Sequence, residues 1–321
     1  METTNHKKSD HRRQRVNQAV LLAVIFVPAI LVAFWGDFPE RTQKPEVGRA
    51  ASSTRELRAI FFDVGQGDSF LLRDAVGNDV LVDGGPSDTV VEKLGRYLPP
   101  TDRTIELLVL THPHADHVNG LPEVLRRYRV ERVLLSGVDH GTGAYREFRE
   151  EIERQKIPVT LVATSTELTV GELKIKTLWP EESWERRAPP RDNLALGGGV
   201  NDTSVVLRAS FGQTDFMLMG DASSAVEEEL IRSGGELAAE VLKVGHHGSK
   251  YSTSRGFLRA VQPKIAVIQV GAKNRYGHPT LQTLRRLEEA GAKIYRNDRD
   301  GDVELSTDGV NLQVDSNIKS R

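Results

Sequence analysis

Residues 111–120 read "THPHADHVNG" and set His112, His114, Asp116 and His117 within six positions. Imidazole nitrogens and a carboxylate oxygen are ligand types that suit Zn²⁺ and also Mn²⁺ or Fe²⁺. His112 and His114 are two apart, so on extended backbone they face the same way, while Asp116 and His117 lie past a turn and point elsewhere. One loop is therefore expected to feed two divalent cations, Zn²⁺ or Mn²⁺, a few ångströms apart. The bland alternative is a polar loop that is histidine-rich by chance. It accounts poorly for three of the chain's nine histidines falling in this order inside six residues.

Four ligands from one loop do not close a catalytic site, and further candidates lie at the ends of other apolar runs. "FMLMGDA" ends in Gly220-Asp221, and a carboxylate at the end of a buried strand is well placed to bridge two cations. Its alternative role is to cap the helix "SSAVEEEL". "LKVGHHGSKYSTS" ends a run in His246-His247. On extended backbone these neighbours face opposite sides. One is then a ligand, with His247 favoured, and the other a substrate contact or a packing residue. Ser249, Lys250, Ser252, Thr253 and Ser254 offer donors suited to phosphate oxygens. In "FFDVGQGDSFLL" a tight turn is enough to explain the glycines around Gln66 and Asp68. Gln66 and Asp68 remain candidate contacts to the site. Asp83 in "LVDGG" is placed to hydrogen-bond a ligating histidine from behind. "NRYGHP" carries Asn274, Tyr276 and His278, with His278 a candidate for proton donation or phosphate binding.

Short strands are expected to present these residues. "LRAIFFDVG", "DVLVDGG", "IELLVLTH" and "VERVLLSG" read as strands, with helices "SDTVVEKLGRYL" and "GLPEVLRRYR" among them. A second series follows: "LKIKTLWP", "TSVVLRASFG", "TDFMLMGD", "EVLKVGHHG" and "KIAVIQVG". Helices "SSAVEEELIRSG", "SRGFLRAVQ" and "TLQTLRRLEEAG" accompany it, and "KIYRND" and "DVELSTDG" come last. Two similar series suggest two sheets packed face to face with helices outside. Residues 181–201, with Pro189, Pro190 and three consecutive glycines, read as a long loop of the kind that is often functional.

The first residues read differently. Residues 1–15 are basic, and residues 16–36 carry no charge, a length that meets the roughly 20 residues needed to cross a bilayer. Lys7, Lys8, Arg12, Arg13 and Arg15 precede the run. The expectation is a single transmembrane helix with a cytoplasmic amino terminus, rather than a cleaved signal peptide, and a body outside the membrane. Residues 37–54 read as a linker and residues 55–321 as the folded body. The chain has no cysteine, which excludes disulfides and thiolate ligands. Its formal net charge is −2, and the first fifty residues hold eight Lys/Arg against five Asp/Glu, so the body is the more acidic part. Such a body lacks the broad basic footprint of a strong duplex-DNA binder.

Taken together, HxHxDH after a strand, a later strand ending in GD and another ending in HHGS resemble the metallo-β-lactamase fold. More narrowly, "FFDVGQGDSFLL", "VDGG", "LTHPHADHVNG", "NDTSVVL", "LMGD", "LKVGHHGSKYSTS" and "NRYGHP" look like the carboxy-terminal domain of ComEC-type competence proteins. They run in order from about Ile60 to about Gly301. The resemblance implies a four-layer αββα sandwich with two cations at one edge of the sheets. It implies that His112 and His114 bind one cation, Asp116 and His117 the other, that Asp221 bridges them, and that a histidine of the 246–247 pair completes the second. Where β-lactamases carry a third histidine for the first cation, this sequence reads Asn201-Asp202-Thr203-Ser204, with Asn201 and Ser204 as candidate contacts. β-Lactam hydrolysis is therefore not expected. His140 is read as a bystander. ComEC-type proteins also carry a polytopic channel region, whereas this chain has one apolar segment, so any DNA channel would be a partner.

The expected function is that of a membrane-anchored, metal-dependent phosphodiesterase, a nuclease acting on DNA. Metal-activated hydroxide would be the nucleophile, and cation charge would stabilise the transition state. Asp116 serves the catalytic centre, and His278 or His246 would protonate the leaving oxygen or hold the phosphate. Two alternatives stand beside this reading. One is hydrolysis of a small exported phosphodiester or other ester. The other is a non-catalytic module that keeps a degraded metal site.

Overall fold

Along the first strand Leu57, Ala59 and Phe61 join one apolar cluster and Ile60 another, so a period of two gives the strand two buried faces. The computed structural model describes residues 55–162, 166–182 and 199–315. The first series contains β1 (Leu57–Phe61), β2 (Phe70–Asp74), β3 (Asp79–Val82), α1 (Thr89–Tyr97), β4 (Thr104–Ile105) and β5 (Leu107–Leu110). It continues with α2 (Ala115–Val118), α3 (Leu121–Arg127), β6 (Arg129–Val130), β7 (Val133–Leu135), α4 (Gly143–Gln155) and β8 (Val159–Leu161). The second begins with β9 (Glu167–Val170), β10 (Leu173–Trp179), β11 (Val206–Phe211), β12 (Thr214–Leu218), α5 (Ser224–Arg232) and β13 (Val241–Lys243). It ends with α6 (Arg255–Val261), β14 (Ile265–Ile268), α7 (Leu281–Glu289), β15 (Lys293–Arg296), α8 (Asn297–Asp300), β16 (Val303–Thr307) and β17 (Leu312–Val314).

The strands form an eight-stranded sheet in the order β17-β16-β1-β2-β3-β5-β7-β8 and a seven-stranded sheet in the order β15-β14-β13-β12-β11-β10-β9, with β4 and β6 as a separate pair. One apolar cluster, including Phe61, Phe70, Phe211 and Phe216, draws on both sheets and fills the space between them. A second joins the first sheet to α1, α3 and α4, and a third joins the second sheet to α5, α6 and α7. The result is the expected four-layer αββα sandwich.

The short elements α2, β8, β9, α8 and β17 are additions to the sequence reading, and two further features depart from it. β16 was expected to follow the second series, yet it pairs antiparallel with β1, Phe61 opposite Val303, and so belongs to the first sheet. The 13-residue α4 was not anticipated. Its buried face is Tyr145, Phe148 and Ile152, and burying such side chains is worth about 1.5–3 kcal/mol each. The expected basic terminus, membrane helix and linker lie outside the described residues, as does the middle of the 181–201 loop. Among the described residues no helix is long and apolar enough to cross a membrane.

The sandwich positions the candidate residues through one recurring device. β3 and β5 run parallel, as do β12, β13 and β14. The segments that follow the carboxyl ends of these five strands carry Asp83, His112, Asp221, His247 and His278 respectively.

Candidate metal centre

Past the end of β5 the chain stays extended through His114 and then turns into the single helical turn α2. The extended part brings His112 Nε2 within 3.0 Å of His114 Nδ1. The helical turn places Asp116 and His117, with His117 Nε2 3.5 Å from the Asp221 carboxylate. Asp221 does not cap α5; Ser223 does, accepting from the Ala225 amide. Oδ2 of Asp221 instead lies 3.9 Å from His112 Nε2, 3.4 Å from His247 Nε2 and 4.0 Å from His246 Nε2.

The His246–His247 pair corrects the expectation of an extended strand end. β13 stops at Lys243, and both histidines adopt left-handed backbone, with φ of 47° and 53°. Such conformations are strained for residues with a Cβ and persist only where the surroundings impose them. Here the Ser249 amide donates to the His246 carbonyl, and Ser252 Oγ donates to the Gly245 carbonyl. His247 Nδ1 donates to the Gln269 carbonyl at 2.9 Å, which turns Nε2 toward Asp116 Oδ2 at 3.2 Å. His246 is the less buried of the two, and Asn201 Nδ2 lies 3.3 Å from its Nε2. Both imidazoles therefore reach one cavity instead of facing opposite sides.

Donor atoms of Asp116, His117, Asp221 and His247 all lie within 4.8 Å of one another, a set that fits a divalent cation. His117 Nε2 and Asp221 Oδ1 are buried and make no hydrogen bond. The electrostatics point the same way. Burial raises the Asp221 carboxyl, but His247 and His117 outweigh it and hold it well below the usual range. Burial disfavours charge on His247, yet Asp221 and Asp68 push its pKa up to about 10. The same balance, with Asp221 and Asp83, raises His117. The cluster thus draws positive charge into a buried place. Burial, and then His117, lower His112, and burial lowers His114. Both are then neutral imidazoles, the form that ligates metals.

A supporting layer lies behind these donors. Asp83 accepts from His117 Nδ1 at 2.8 Å and from the Thr111 amide and hydroxyl, as its place in "LVDGG" suggested. Ser204 Oγ lies 3.4 Å from His112 Nδ1 and accepts from the Asp221 amide. Asp68 Oδ1 is 3.2 Å from His247 Nδ1, and its other oxygen is paired with Lys243. Lys243 is fully buried and also donates to the Gly220 carbonyl. Sequence reasoning passed over it, although a lysine inside the apolar run "EVLKVG" must find a charged partner if the strand is buried.

The turn before Asp68 has a further reason for its glycines. The Asp68 amide donates to the Asp116 carbonyl at 3.1 Å, and a Cβ on Gly67 would collide with that same oxygen. Gly67→Ala is therefore expected to displace Asp116 and weaken metal binding by about 10- to 100-fold, as loss of supporting contacts does. A metal titration followed by calorimetry checks this; wild-type affinity would refute it.

Other expected contacts are used differently. Lys250 is exposed, and its ammonium rests over the ring of Tyr251. Ser249 is buried; its Oγ accepts from the Tyr251 amide, and its carbonyl accepts from Thr283. Ser252 bonds backbone carbonyls, and Ser254 caps α6. These side chains shape the loop or face solvent, and none of them lines the cavity onto which the metal donors open. Asn274 is a turn clamp whose Oδ1 accepts from the amides of Tyr276 and His278. Gln66 Oε1 accepts from the Gly271 amide. His140, read as a bystander, has its ring 6.0 Å from that of His114.

The donors open into a cavity of about 330 Å³ whose other walls include Gln66, Asn201, His246, Tyr276 and His278. Burial, and then His246, lower the His278 pKa to about 4, so it is a neutral imidazole near pH 7. A larger groove of about 590 Å³ lies between α6 and α7, lined by Arg255, Arg259 and Glu289, and holds none of these donors.

Known proteins share the sequence pattern and the fold of this chain. The chain is 28% identical over 202 residues to ComE operon protein 3 of Bacillus subtilis (strain 168), covering 63% of this chain and 24% of that protein. It is 30% identical over 266 residues to Competence protein ComA of Neisseria gonorrhoeae, covering 80% of this chain and 34% of that protein. The chain thus spans about a quarter to a third of the length of these relatives. Among solved structures it shares its fold with the metallo-beta-lactamase fold protein YhfI from Bacillus subtilis, with a TM-score of 0.52 at 10% identity, covering 79% of this chain and all of that one. The family description Metallo-beta-lactamase superfamily matches residues 62–272, which takes in the histidine loop, Asp221 and the 246–247 pair, and the chain belongs to that superfamily.

Proposed function

We propose that the protein is a metal-dependent phosphodiesterase acting on nucleic acid. The observation that carries this reading is the set Asp116, His117, Asp221 and His247, its donor atoms within 4.8 Å, on a cavity walled by further imidazoles. Asp116, His117, Asp221 and His247 would hold one cation, and His112 and His114 a second, with Asp221 between them. Cations bound there supply Lewis acidity toward a phosphoryl oxygen and lower the pKa of water.

The chain's own residues do the rest. Asp83 and the Gln269 carbonyl fix the rings of His117 and His247, so each offers Nε2 to the site. His246 and His278, with rings 5.6 Å apart, have pKa values lowered by burial and remain neutral near pH 7. As neutral imidazoles they suit hydrogen bonding to phosphoryl oxygens and orienting the leaving group, more than delivering a proton from a charged ring. Asn201 stands beside His246 on the cavity wall, with Nδ2 3.3 Å from Nε2, and would offer an amide where the β-lactamase pattern has a histidine. Nucleic acid as the substrate class rests on the ComEC-type motifs and on similarity to a competence protein.

The same reading includes attachment to the membrane through residues 16–36, with the body outside the cytoplasm and any channel supplied by a partner. The test is to incubate the detergent-solubilised full chain with Mn²⁺ or Zn²⁺ and a panel of labelled DNA, RNA and small phosphodiesters. Metal-dependent cleavage, lost in His114→Ala and Asp116→Ala, is the expected result. A metal-loaded protein that cleaves none of them would refute the proposal. Protease accessibility in intact cells tests the orientation.

A further inference from the structure

The loop after β14 carries a feature that metal chemistry does not require. Tyr276 is 54% exposed, yet its ring lines the same cavity as Asp116 and Asp221. It stacks on His278 with centroids 5.9 Å apart and planes 19° from parallel. The Arg275 guanidinium lies 5.3 Å from the Tyr276 centroid and donates to its hydroxyl. An aromatic ring left half in water contributes little to a core, so packing does not explain its placement.

The backbone that carries the ring is also held in place. Asn274 Oδ1 accepts from the amides of Tyr276 and His278, and its Nδ2 donates to the carbonyls of Gly271 and His278. Four bonds from one side chain fix the turn, so a ligand that stacks on Tyr276 loses little by ordering it. Residues 270–280 contain Lys273 and Arg275 and no carboxylate, a charge that favours a polyanion. A rigid exposed aromatic flanked by guanidinium, beside a centre for phosphate chemistry, is the combination that binds bases by their faces. Bases inside a duplex have both faces covered by neighbours and cannot offer one.

We propose that Tyr276, with Arg275, forms a stacking subsite for an unpaired nucleobase adjacent to the scissile phosphate, which selects single-stranded polynucleotide. The proposal rests on the phosphodiesterase reading for the position of the phosphate, but base binding can be measured without cleavage.

The experiment uses the solubilised full chain with Ca²⁺ in place of Mn²⁺ and reads fluorescence anisotropy of a labelled oligothymidylate. Tyr276→Ala is expected to weaken binding by about 5- to 150-fold, the span that one lost base–aromatic stack implies. Tyr276→Phe, which keeps the ring, should restore most of the affinity. An abasic strand should bind the wild-type protein weakly and lose much less on Tyr276→Ala, because no base is there to stack. A hairpin duplex of equal length should bind less tightly than the single strand. Equal loss on the abasic and normal strands would overturn the subsite, since the change would then reflect disturbance of His278. So would unchanged affinity in Tyr276→Ala, or duplex binding as tight as single strand. Cleavage with Mn²⁺ is followed in parallel. Tyr276-dependent binding without cleavage of any phosphodiester would leave the subsite standing and refute the hydrolytic reading. Cleavage without a Tyr276 effect on binding would do the reverse.

Discussion

Asp221→Ala is expected to lower phosphodiester hydrolysis by at least about a thousandfold, equivalent to several kcal/mol of lost transition-state stabilisation. The size of the effect follows from where the carboxylate sits. One oxygen, Oδ2, faces Nε2 of His112, His117, His246 and His247 at 3.4–4.0 Å, so a single carboxylate stands among candidate ligands of both proposed cations. Removing it would leave the direct contact of His247 with Asp116, at 3.2 Å, but take away the carboxylate that faces both the histidine loop and the second sheet. Metal content by elemental analysis should fall together with activity. The circular dichroism spectrum should stay that of the wild type, because the strands on either side are held by their own clusters. Full metal content with wild-type turnover in this variant would remove Asp221 from the centre.

The largest expected effect on stability comes from a residue outside the set Asp116, His117, Asp221 and His247. Lys243→Met should destabilise the fold by about 3–5 kcal/mol, the usual cost of stripping one partner from a buried ion pair. Lys243 is fully buried against Asp68, whose carboxyl is pushed up by burial and held down by Lys243 and then by His247. Without the ammonium, Asp68 would be left as a buried charge next to His247, and the Gly220 carbonyl, one residue before Asp221, would keep only the His246 amide as a donor. Chemical denaturation measures the loss. The double variant Lys243→Met with Asp68→Asn should recover part of it, because the uncompensated charge is gone. If the two single changes add without recovery, the ion pair is not what stabilises this end of β13. Metal affinity should fall as well, by roughly 10- to 100-fold, since both contacts lie directly behind donors.

Much of the fold was legible locally. Short apolar runs that end in Gly, Asp or His mark strands such as β3, β5, β13 and β14, which are buried at every position, and a run of this kind is a short-range property. α4 was legible too: Tyr145, Phe148 and Ile152 repeat at helical spacing, and the long charged residues between them are good helix formers. The strand β16 was legible as a strand but not as a member of the first sheet. Nothing in "DVELSTDG" states that its partner is β1, almost 250 residues earlier.

The candidate site divides along the same line. The sequence by itself determined the superfamily, the sandwich class and the types of donor in the histidine loop. Those donors fall inside six residues, where spacing and backbone geometry are enough to say that one loop can feed two neighbouring cations. Only the tertiary structure decided how the distant pieces combine. It folded His246 and His247 into left-handed backbone so that both imidazoles reach one cavity, and it placed Asp83 behind His117. It paired Asp68 with Lys243 across 175 residues of chain. It also turned Ser249 and Asn274 from expected substrate contacts into supports for the loops. The physical reason is that each of these outcomes depends on which strand ends lie side by side at the sandwich edge. Packing of two sheets sets that arrangement, and no local pattern of residues records it.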